Sequence, residues 1–395
     1  MCSTVAKPWI CLCMIVKDEA GVIQRCLQSV RHLIDYWVIC DTGSADGRQE
    51  LVRSSLERIP GELHERPWVD FGHNRSELMA LARGKADYLL LLDADWTITA
   101  QPGALQHLSA DAYLVRLTYP DAGALEYYNR LLVRGDRDWW YVGMTHEYIE
   151  TEGPFLLLRL EDVFVTNWAD RGVGRARRWR QDAQILEQAL RQDPDNARNL
   201  FYLAQTYSDL GETAAAIEFY ERRAAPGGWP EEVFYALYQV GVLRSGLGDW
   251  SAAVSALVDA WNYRPSRIEP LYKLARGYRE RRAHHAAHLF AVRALNRPQP
   301  EDILFMEPWI YRWGVLFEYS ICAYWIGDAP VALQACDRLL SMPDLPDLYR
   351  RYTVENRTYC ARAVTGEIPM SGLPIGVSRS SSSATRPLGW SGGSR

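Results

Sequence analysis

The stretch that most constrains how this chain can fold is residues 88–96, Tyr-Leu-Leu-Leu-Leu-Asp-Ala-Asp-Trp. An apolar run this short, bounded by polar residues, predicts a strand that is buried on both faces, as in a parallel sheet covered by helices. In open α/β sheets the ligand crevice lies beyond the carboxyl ends of the strands, which is where Asp93 and Asp95 would lie. Their carboxylates suit Mg²⁺ or Mn²⁺ bridging to a phosphate. The alternative interpretation is that Asp93 caps a turn and Asp95 is solvated.

Two earlier apolar runs also end in acidic residues. Residues 9–16 are followed by the segment Lys17–Glu19, and residues 36–40 are followed by Asp41. Helical spacing of apolar residues separates the runs, over about 22–34, 45–57 and 73–83. The alternation predicts an α/β domain with a Rossmann-like, doubly wound sheet, whose strand ends converge on one crevice. The turn at 42–44 is expected to leave backbone N–H groups free to bind a phosphate.

The composition excludes several classes of protein. A net charge of −5 gives no global case for nucleic-acid binding, so no nucleic-acid partner is expected. No apolar run approaches the roughly 20 residues of a membrane span, and no signal-peptide pattern precedes the first strand. The eight cysteines include no Cys-x-x-Cys pair, and several lie inside apolar segments. These features predict reduced, buried thiols in a cytoplasmic protein.

Four motifs in the first hundred residues carry a family resemblance. They are Cys-Met-Ile-Val-Lys-Asp-Glu at 13–19, Val-Ile-Cys-Asp-Thr-Gly-Ser-Ala-Asp at 38–46, Asn74-Arg75, and Leu-Leu-Asp-Ala-Asp at 91–95. In this order and spacing, residues 10–95 resemble an inverting family 2 glycosyltransferase with the GT-A fold. The resemblance implies a nucleotide-sugar donor, which we expect to be a UDP-sugar.

The resemblance also implies roles for individual residues. It assigns three of them to the nucleotide pocket: Lys17, Glu19 and Asp41. It implies that Arg75 lies near the nucleotide or its phosphates. It implies that Asp93 and Asp95 hold the donor diphosphate through Mg²⁺ or Mn²⁺. Trp96 departs from the related pattern, which commonly has Glu there, and this weakens any metal or sugar role for that position.

A second candidate for chemistry is the His146-Glu147 pair, which follows the aromatic, Gly-containing stretch 139–145. An inverting transfer needs a carboxylate that takes the proton from the acceptor. In the resembled family a His-Glu pair occurs at this place in the fold. We therefore expect Glu147 to be the general base and His146 to be a metal or phosphate ligand. Asp70 is the alternative base, and the non-catalytic alternative is an exposed strand with ordinary charged residues.

The second half of the chain changes character from about residue 176, where helical pairs replace strand patterns. Small and aromatic residues recur around Gly211, Gly248, Arg282 and Gly327, and the first three anchors lie 37 and 34 residues apart, close to the roughly 34 residues of a tetratricopeptide repeat. Arg282 stands where the repeat usually has a turn glycine. The pattern predicts an all-α solenoid with a concave face. An insertion that contains Pro298, Pro300 and Pro308 precedes the fourth unit.

These patterns predict three parts in the chain. Residues 1–174 are the expected catalytic α/β domain, 175–365 the repeat domain, and 366–395 a disordered Ser/Gly-rich tail. A hairpin is expected across Pro120–Gly123. The arginine-rich stretch 171–180 has two readings, a solvated face or a contact with donor phosphates or an anionic acceptor.

The leading hypothesis is a cytoplasmic glycosyltransferase that moves a sugar to an acceptor with inversion. Bacterial family 2 transferases with a C-terminal tetratricopeptide array look like this chain through about residue 365. The repeats would bind a peptide or protein acceptor, or mediate homo-oligomerisation. The alternative is a non-catalytic adaptor whose sheet domain is a relic. The acids at three strand ends argue against a relic, since decay should remove some of them.

Overall fold

A computed structural model describes residues 7–119, 126–168 and 175–367. The expected hairpin turn at Pro120–Gly123, residues 171–174 of the arginine-rich stretch and all but the first residues of the expected tail lie outside these ranges. Contacts between residues divide the described chain into two compact units, with the division between Gln192 and Asp193. The helix that follows residue 174 therefore groups with the first unit, and the predicted domain limits remain a prediction.

The first unit contains ten strands and four helices within the described residues. In chain order they are β1 (Ile10–Val16), α1 (Ile23–Val30), β2 (Tyr36–Asp41), α2 (Arg48–Ser55), β3 (Gly61–Glu65), α3 (Phe71–Ala82), β4 (Tyr88–Leu91), β5 (Trp96–Ala100), β6 (Ala112–Thr118), β7 (Tyr127–Arg134), β8 (Trp139–Val142), β9 (Tyr148–Thr151), β10 (Leu157–Asn167) and α4 (Arg175–Gln192).

Eight of these strands form one mixed sheet in the order β3-β2-β1-β4-β7-β6-β10-β5. Strands β3, β2, β1 and β4 run parallel, whereas β7 runs antiparallel to both β4 and β6. The strand order reverses at β1, which has β2 on one side and β4 on the other. In such sheets the crevice at the carboxyl ends of the strands beside the reversal binds the ligand. The predicted α/β fold is confirmed, and its sheet is mixed beyond β4.

The core of the first unit explains why the central strands read as unbroken apolar runs. Every residue of β1 is buried, and one face of the sheet packs on α3 through Leu78, Met79 and Ala82. A strand that is covered on both faces has no polar side, so its sequence does not alternate. Among the described residues seven cysteines are buried and form no disulfide. Burial raises the pKa of the Cys40 thiol to about 12.

The second unit is a run of antiparallel helix pairs. Its helices are α5 (Ala197–Leu210), α6 (Thr213–Ala224), α7 (Pro230–Gly246), α8 (Trp250–Tyr263), α9 (Glu269–Glu280), α10 (His284–Ala294), α11 (Val315–Trp325), α12 (Ala329–Leu340) and α13 (Asp347–Val364), with a π-helical turn at Ile310–Gly314. Gly211, Gly248 and Gly327 all have positive φ at their turns. Arg282 takes the same left-handed conformation with φ 59°. The predicted solenoid of helical repeats is confirmed, including the turn role of Arg282.

Small residues set the spacing between neighbouring helices in this unit. A Cβ atom added at Gly241 would lie 2.6 Å from Leu257 Cγ on α8. A Cβ atom added at Gly277 would lie 2.1 Å from Trp250 Cη2. These helices therefore approach more closely than any larger side chain would allow.

The proline-rich insertion between α10 and α11 is held by charged side chains of the repeats. The Glu231 carboxylate on α7 accepts hydrogen bonds from the N–H groups of Ile303 and Leu304, both at 2.8 Å. The guanidinium of Arg267, which precedes α9, donates to the carbonyl oxygens of Leu304 at 3.3 Å and Phe305 at 3.1 Å. Side chains thus satisfy backbone groups that have no helix or sheet partner. The insertion is an integral part of the repeat fold.

In the described parts of the chain, no helix combines the length and apolar character needed to cross a membrane.

Candidate active site

The sheet brings the predicted acidic strand ends to one edge. β1, β2 and β4 are parallel neighbours, so the segments that follow them lie together. After β1, Lys17 is exposed and Glu19 is half-buried. After β4, Asp93 is 3% exposed and Asp95 is half-buried. The sequence-based expectation that these residues share one crevice agrees with the strand order.

The Asp41 carboxylate is occupied by its own turn. Its Oδ1 accepts hydrogen bonds from the N–H groups of Gly43 at 3.0 Å and Ser44 at 2.8 Å. The next N–H, of Ala45, donates to Asp18 Oδ1 at 3.1 Å. The prediction that this turn leaves backbone N–H groups free for a phosphate is therefore wrong. The physical reason is that an Asp at the start of a turn bonds to the N–H groups two and three residues on.

The centre of the site is a buried cluster of one arginine and two carboxylates. Arg75 Nη2 donates to Asp93 Oδ1 at 2.5 Å, and Arg75 Nε lies 2.6 Å from Glu147 Oε1. The three side chains are between 4% and 7% exposed. Arg75 also lies over the Tyr141 ring, with 5.6 Å between the guanidinium carbon and the ring centroid. Three of the predicted site residues, from separate parts of the chain, thus meet at one point.

Burial and charge act in opposite directions on this cluster. Burial alone would lower the pKa of Arg75, but the carboxylates of Asp93 and Glu147 raise it overall. Burial raises the pKa of Asp93 to about 7, assisted by Asp95 and opposed by Arg75. Asp93 Oδ2 and Glu147 Oε2 are buried and have no hydrogen-bond partner within the described chain. Because unsatisfied buried oxygens are costly, these two oxygens make the cluster a candidate for the functional site.

Helix α3 fixes the position of Arg75. Asp70 caps the helix, and its Oδ1 accepts a hydrogen bond from His73 N at 2.7 Å. Asn74 is 1% exposed and holds the preceding loop through Val69 N and Pro67 O, both at 2.9 Å. The structure therefore gives Asp70, the alternative base, a capping role at the start of α3. The capping pattern was present in the sequence, because Asp before an apolar helical run is a helix-start signal.

Strand β8 and the loop after it attach to the same helix. Ser76 Oγ accepts a hydrogen bond from Tyr141 N at 2.8 Å, which ties β8 to α3. Gly143 has φ 107°, and its carbonyl oxygen would be only 2.2 Å from a Cβ at Gly72. His146, the next site residue, is half-buried with φ 52°. The close approach of Gly72 and Gly143, together with the left-handed backbone of His146, thus places Glu147 beside the guanidinium of Arg75.

Helix α4 contributes a carboxylate that the sequence did not identify. Thr145 Oγ1 lies 3.4 Å from Asp182 Oδ1, at the outer limit of a hydrogen bond. Burial raises the pKa of Asp182 to about 6, and the negative charge of Glu147 adds to that effect. Asp182 lies in the segment predicted to begin the repeats, so no motif linked it to the site.

The residues after β4 suit a metal that receives part of its ligands from a substrate. Within the described residues no three His, Cys, Asp or Glu side chains are placed to bind a metal by themselves. Mg²⁺, however, is often bound by one or two carboxylates and completed by substrate phosphates and water. The unpartnered Oδ2 of Asp93 and the half-buried Asp95 fit that arrangement. Trp96 is 5% exposed in β5 and belongs to the core, in keeping with the weakened metal role of that position.

Comparisons with known proteins agree with both halves of this description. Residues 11–147 match the family model for glycosyl transferase family 2, and residues 177–226 match a tetratricopeptide repeat model. A TPR repeat-containing protein of Synechococcus elongatus is 28% identical over 267 residues, which cover 63% of this chain. The match spans 65% of that relative's own length, just under two thirds.

Solved structures show similarity to parts of this chain at low identity. MamA is 18% identical with a TM-score of 0.33, over 49% of this chain and 99% of that chain. TarS of S. aureus is 11% identical with a TM-score of 0.30, over 64% of this chain and 54% of that chain. On the family matches, this chain carries a glycosyltransferase family 2 domain followed by tetratricopeptide repeats.

Proposed function

We propose that this protein transfers a sugar from a nucleotide-sugar donor to an acceptor, with inversion at the sugar carbon. The observation that carries the proposal is the buried cluster of Arg75, Asp93 and Glu147 at the carboxyl end of β4, inside the family 2 domain. Buried carboxylate oxygens without partners, at the edge where α/β sheets bind ligands, are typical of a reaction centre.

The donor side of the proposed site is the segment after β4. Asp93 and Asp95 would hold Mg²⁺ or Mn²⁺, with His146 as a further ligand, and that cation would neutralise charge on the leaving diphosphate. Lys17 is exposed beside the end of β1, where its ammonium can reach a nucleotide phosphate. Glu19 and Asp41 would shape the nucleotide side of the pocket, Asp41 through the turn that it holds. We propose a UDP-sugar as the donor.

The proposed base is Glu147. Its Oε1 faces Arg75, and its Oε2 has no hydrogen-bond partner among the described residues, so Oε2 can accept the proton of the acceptor. The arrangement favours Glu147 over Asp70, whose Oδ1 is bonded to the start of α3. Removal of a general base costs on the order of 10²–10⁴ in rate.

We further propose that the repeat unit binds the acceptor, a peptide or protein, or joins two copies of the chain. Tetratricopeptide arrays present extended surfaces that suit such partners. The insertion is bonded to α7 and to the residues before α9, so a partner would use the remaining helices of the array. A cytoplasmic location, which the reduced thiols favour, is part of the same proposal.

The proposal is tested by incubating the full chain with Mn²⁺ and a panel of nucleotide sugars, with released nucleotide as the readout. We expect turnover of at least one donor, lowered on the order of 10²-fold or more in Glu147→Gln at unchanged donor affinity. Asp70→Asn is the matched control, because asparagine caps helices as well as aspartate does. A collapse of turnover in Asp70→Asn alone would move the base to Asp70. The absence of both turnover and nucleotide binding across the panel would instead favour a non-catalytic adaptor.

A further inference from the structure

We propose that Arg75 is a positioning residue, which holds Asp93 and Glu147 in one fixed arrangement and does not bind the donor phosphates. The inference rests on the proposed glycosyl transfer, and it departs from the expectation that Arg75 lies near the nucleotide phosphates. Three observations support it: the contacts of the guanidinium, the charge balance of the cluster, and the way α3 is fastened.

Two of the three guanidinium nitrogens of Arg75 already face protein carboxylates. Arg75 Nη2 is hydrogen-bonded to Asp93 Oδ1, and Nε is paired with Glu147 Oε1. The guanidinium carbon lies over the aromatic ring of Tyr141. The pairing with Glu147 is a close ion pair, since the Nε–H is not aimed at the carboxylate. The Arg75 side chain is 7% exposed. Little of the guanidinium is therefore open to a phosphate, and a phosphate that displaced either carboxylate would leave it buried without a counter-charge.

The cluster has one positive charge for two negative ones. Asp93 Oδ2 and Glu147 Oε2 are the oxygens without partners, and they belong to the two acids that the guanidinium connects. A cation at Asp93 and a proton at Glu147 are the charges that the proposed reaction delivers to these oxygens. A phosphate would add negative charge to a cluster that already has an excess of it.

The hydrogen bonds that hold α3 also fix the clamp, by which we mean Arg75 with the two carboxylates of Asp93 and Glu147. Asn74 is bonded on both sides of the loop before the helix, and Ser76 is bonded to β8, so Arg75 lies between two anchored neighbours. The clamp connects α3, the end of β4 and the loop before β9. Misplacement of a reacting group by about 1 Å can lower the rate on the order of 10²-fold. Fixing both carboxylates can therefore offset the free-energy cost of burying these charges in an enzyme.

The variant Arg75→Lys distinguishes a positioning role of Arg75 from a role in binding the donor phosphates. Lysine keeps the positive charge but lacks the planar fork that reaches two carboxylates at once. For a positioning residue we expect a fall in kcat on the order of 10-fold to 10²-fold, with the Kd for UDP in metal-free buffer changed less than about threefold. A phosphate ligand would show the reverse, a Kd for UDP weakened at least tenfold with kcat kept at saturating donor, and that result would overturn the inference.

The double variant Arg75→Lys/Glu147→Gln tests whether Arg75 acts through the base. If it does, the double variant loses less kcat than the two single losses predict together, because groups that act as a unit are not additive, and only the part that passes through Asp93 adds to the loss of Glu147→Gln. Full additivity of the two losses would contradict the inference. The double variant also retains one positive side chain facing one carboxylate, so it remains informative if Arg75→Lys is unstable by itself. Arg83→Lys is the matched control, since Arg83 follows α3 in an exposed pair with Asp138.

The measurement of UDP binding tests the role of Arg75 independently of the proposed function. If no donor turns over in the unaltered protein, the proposed function fails, whereas UDP titration by calorimetry still decides the role of Arg75. An unchanged Kd for UDP in Arg75→Lys supports the internal clamp. A weakened Kd overturns it.

Discussion

Arg267 provides the sharpest stability prediction, because it is a charged side chain with 0% exposure in the middle of the repeat unit. Its Nε lies 2.9 Å from Glu269 Oε1, and its Nη1 lies 3.1 Å from Asp302 Oδ2. It also donates to the carbonyl oxygens of Leu304 and Phe305 in the insertion. We expect Arg267→Met, which keeps the length and apolar stem of the side chain, to destabilise the unit by about 4 kcal/mol.

The magnitude follows from what the substitution leaves behind. Removing one partner of a buried ion pair typically costs about 3–5 kcal/mol, because the other charge stays buried. Asp302 keeps its second partner, since Arg264 Nε donates to Asp302 Oδ2 at 2.6 Å. Glu269 can take up a proton, which limits its cost, and burial already raises its pKa while Arg267 lowers it. The two carbonyl oxygens each lose a donor, at about 1–3 kcal/mol where no water replaces it.

The assay is thermal unfolding of the full chain followed by circular dichroism at the helix band. About 4 kcal/mol corresponds to a Tm lowered by roughly 8–16 °C for a unit of this size. Arg357→Met is the matched control, because the side chains of Arg357 and Asp337 are 46% and 51% exposed. Exposed ion pairs are screened by solvent and contribute little to stability. If Arg267→Met costs no more than Arg357→Met, the insertion is not held by the guanidinium and the reasoning fails.

Three further predictions concern separate features. Asp95→Ala abolishes transfer but leaves the far-UV spectrum and Tm unchanged, because a half-buried carboxylate packs no core; full activity in metal-chelated buffer would exclude its metal role. Gly277→Ala costs about 1–3 kcal/mol by overpacking Trp250, whereas Gly246→Ala, with nothing within 4 Å, costs nothing in the same melts. Burial and neighbouring positive charges lower the pKa of His284, so stability falls as pH drops below roughly 6.5, and His284→Gln removes that slope.

Much of the fold was predictable because its signals are local. The buried strands are recognisable in the sequence as short apolar runs, and β4 ends at Leu91, shortly before Asp93 and Asp95. The repeat turns are marked by residues at fixed spacing, and even Arg282 takes the left-handed conformation that its position requires. These features depend on periodicity and on turn chemistry, which a single sequence carries.

The contacts that make the site were not predictable, because they depend on packing between distant segments. Arg75 and Glu147 were both candidates, yet nothing in either motif says that one faces the other. Their contact follows from the docking of β8 on α3 through Ser76 and from the close approach of two glycines. Asp182 was missed for the same reason, since it reaches the site only when α4 packs beside Thr145.

The prediction for the turn after β2 was wrong for a different reason. A nearby carboxylate competes with the phosphate for the same N–H groups. The sequence pattern of a glycine-containing turn before a helix indicates free N–H groups. Asp41, at the end of the strand, offers a carboxylate to the same N–H groups at no cost in chain entropy. A nucleotide phosphate would have to compete with a carboxylate that is 1% exposed and already bonded. In this chain the strand-end acid therefore builds the turn, and a donor phosphate would have to bind to other groups.

The charge balance of buried pairs separates structural clusters from the candidate site. In the repeat unit Arg279 is paired with Glu318, and Glu232 is paired with both Arg223 and Arg198. In these pairs no guanidinium is shared between two buried carboxylates, so their charges are balanced within the protein. Arg75, by contrast, faces Asp93 and Glu147 together, and each acid keeps a buried oxygen with no partner in the described chain. The proposed glycosyl transfer would account for that excess of negative charge, because it would bring a cation to Asp93 and a proton to Glu147.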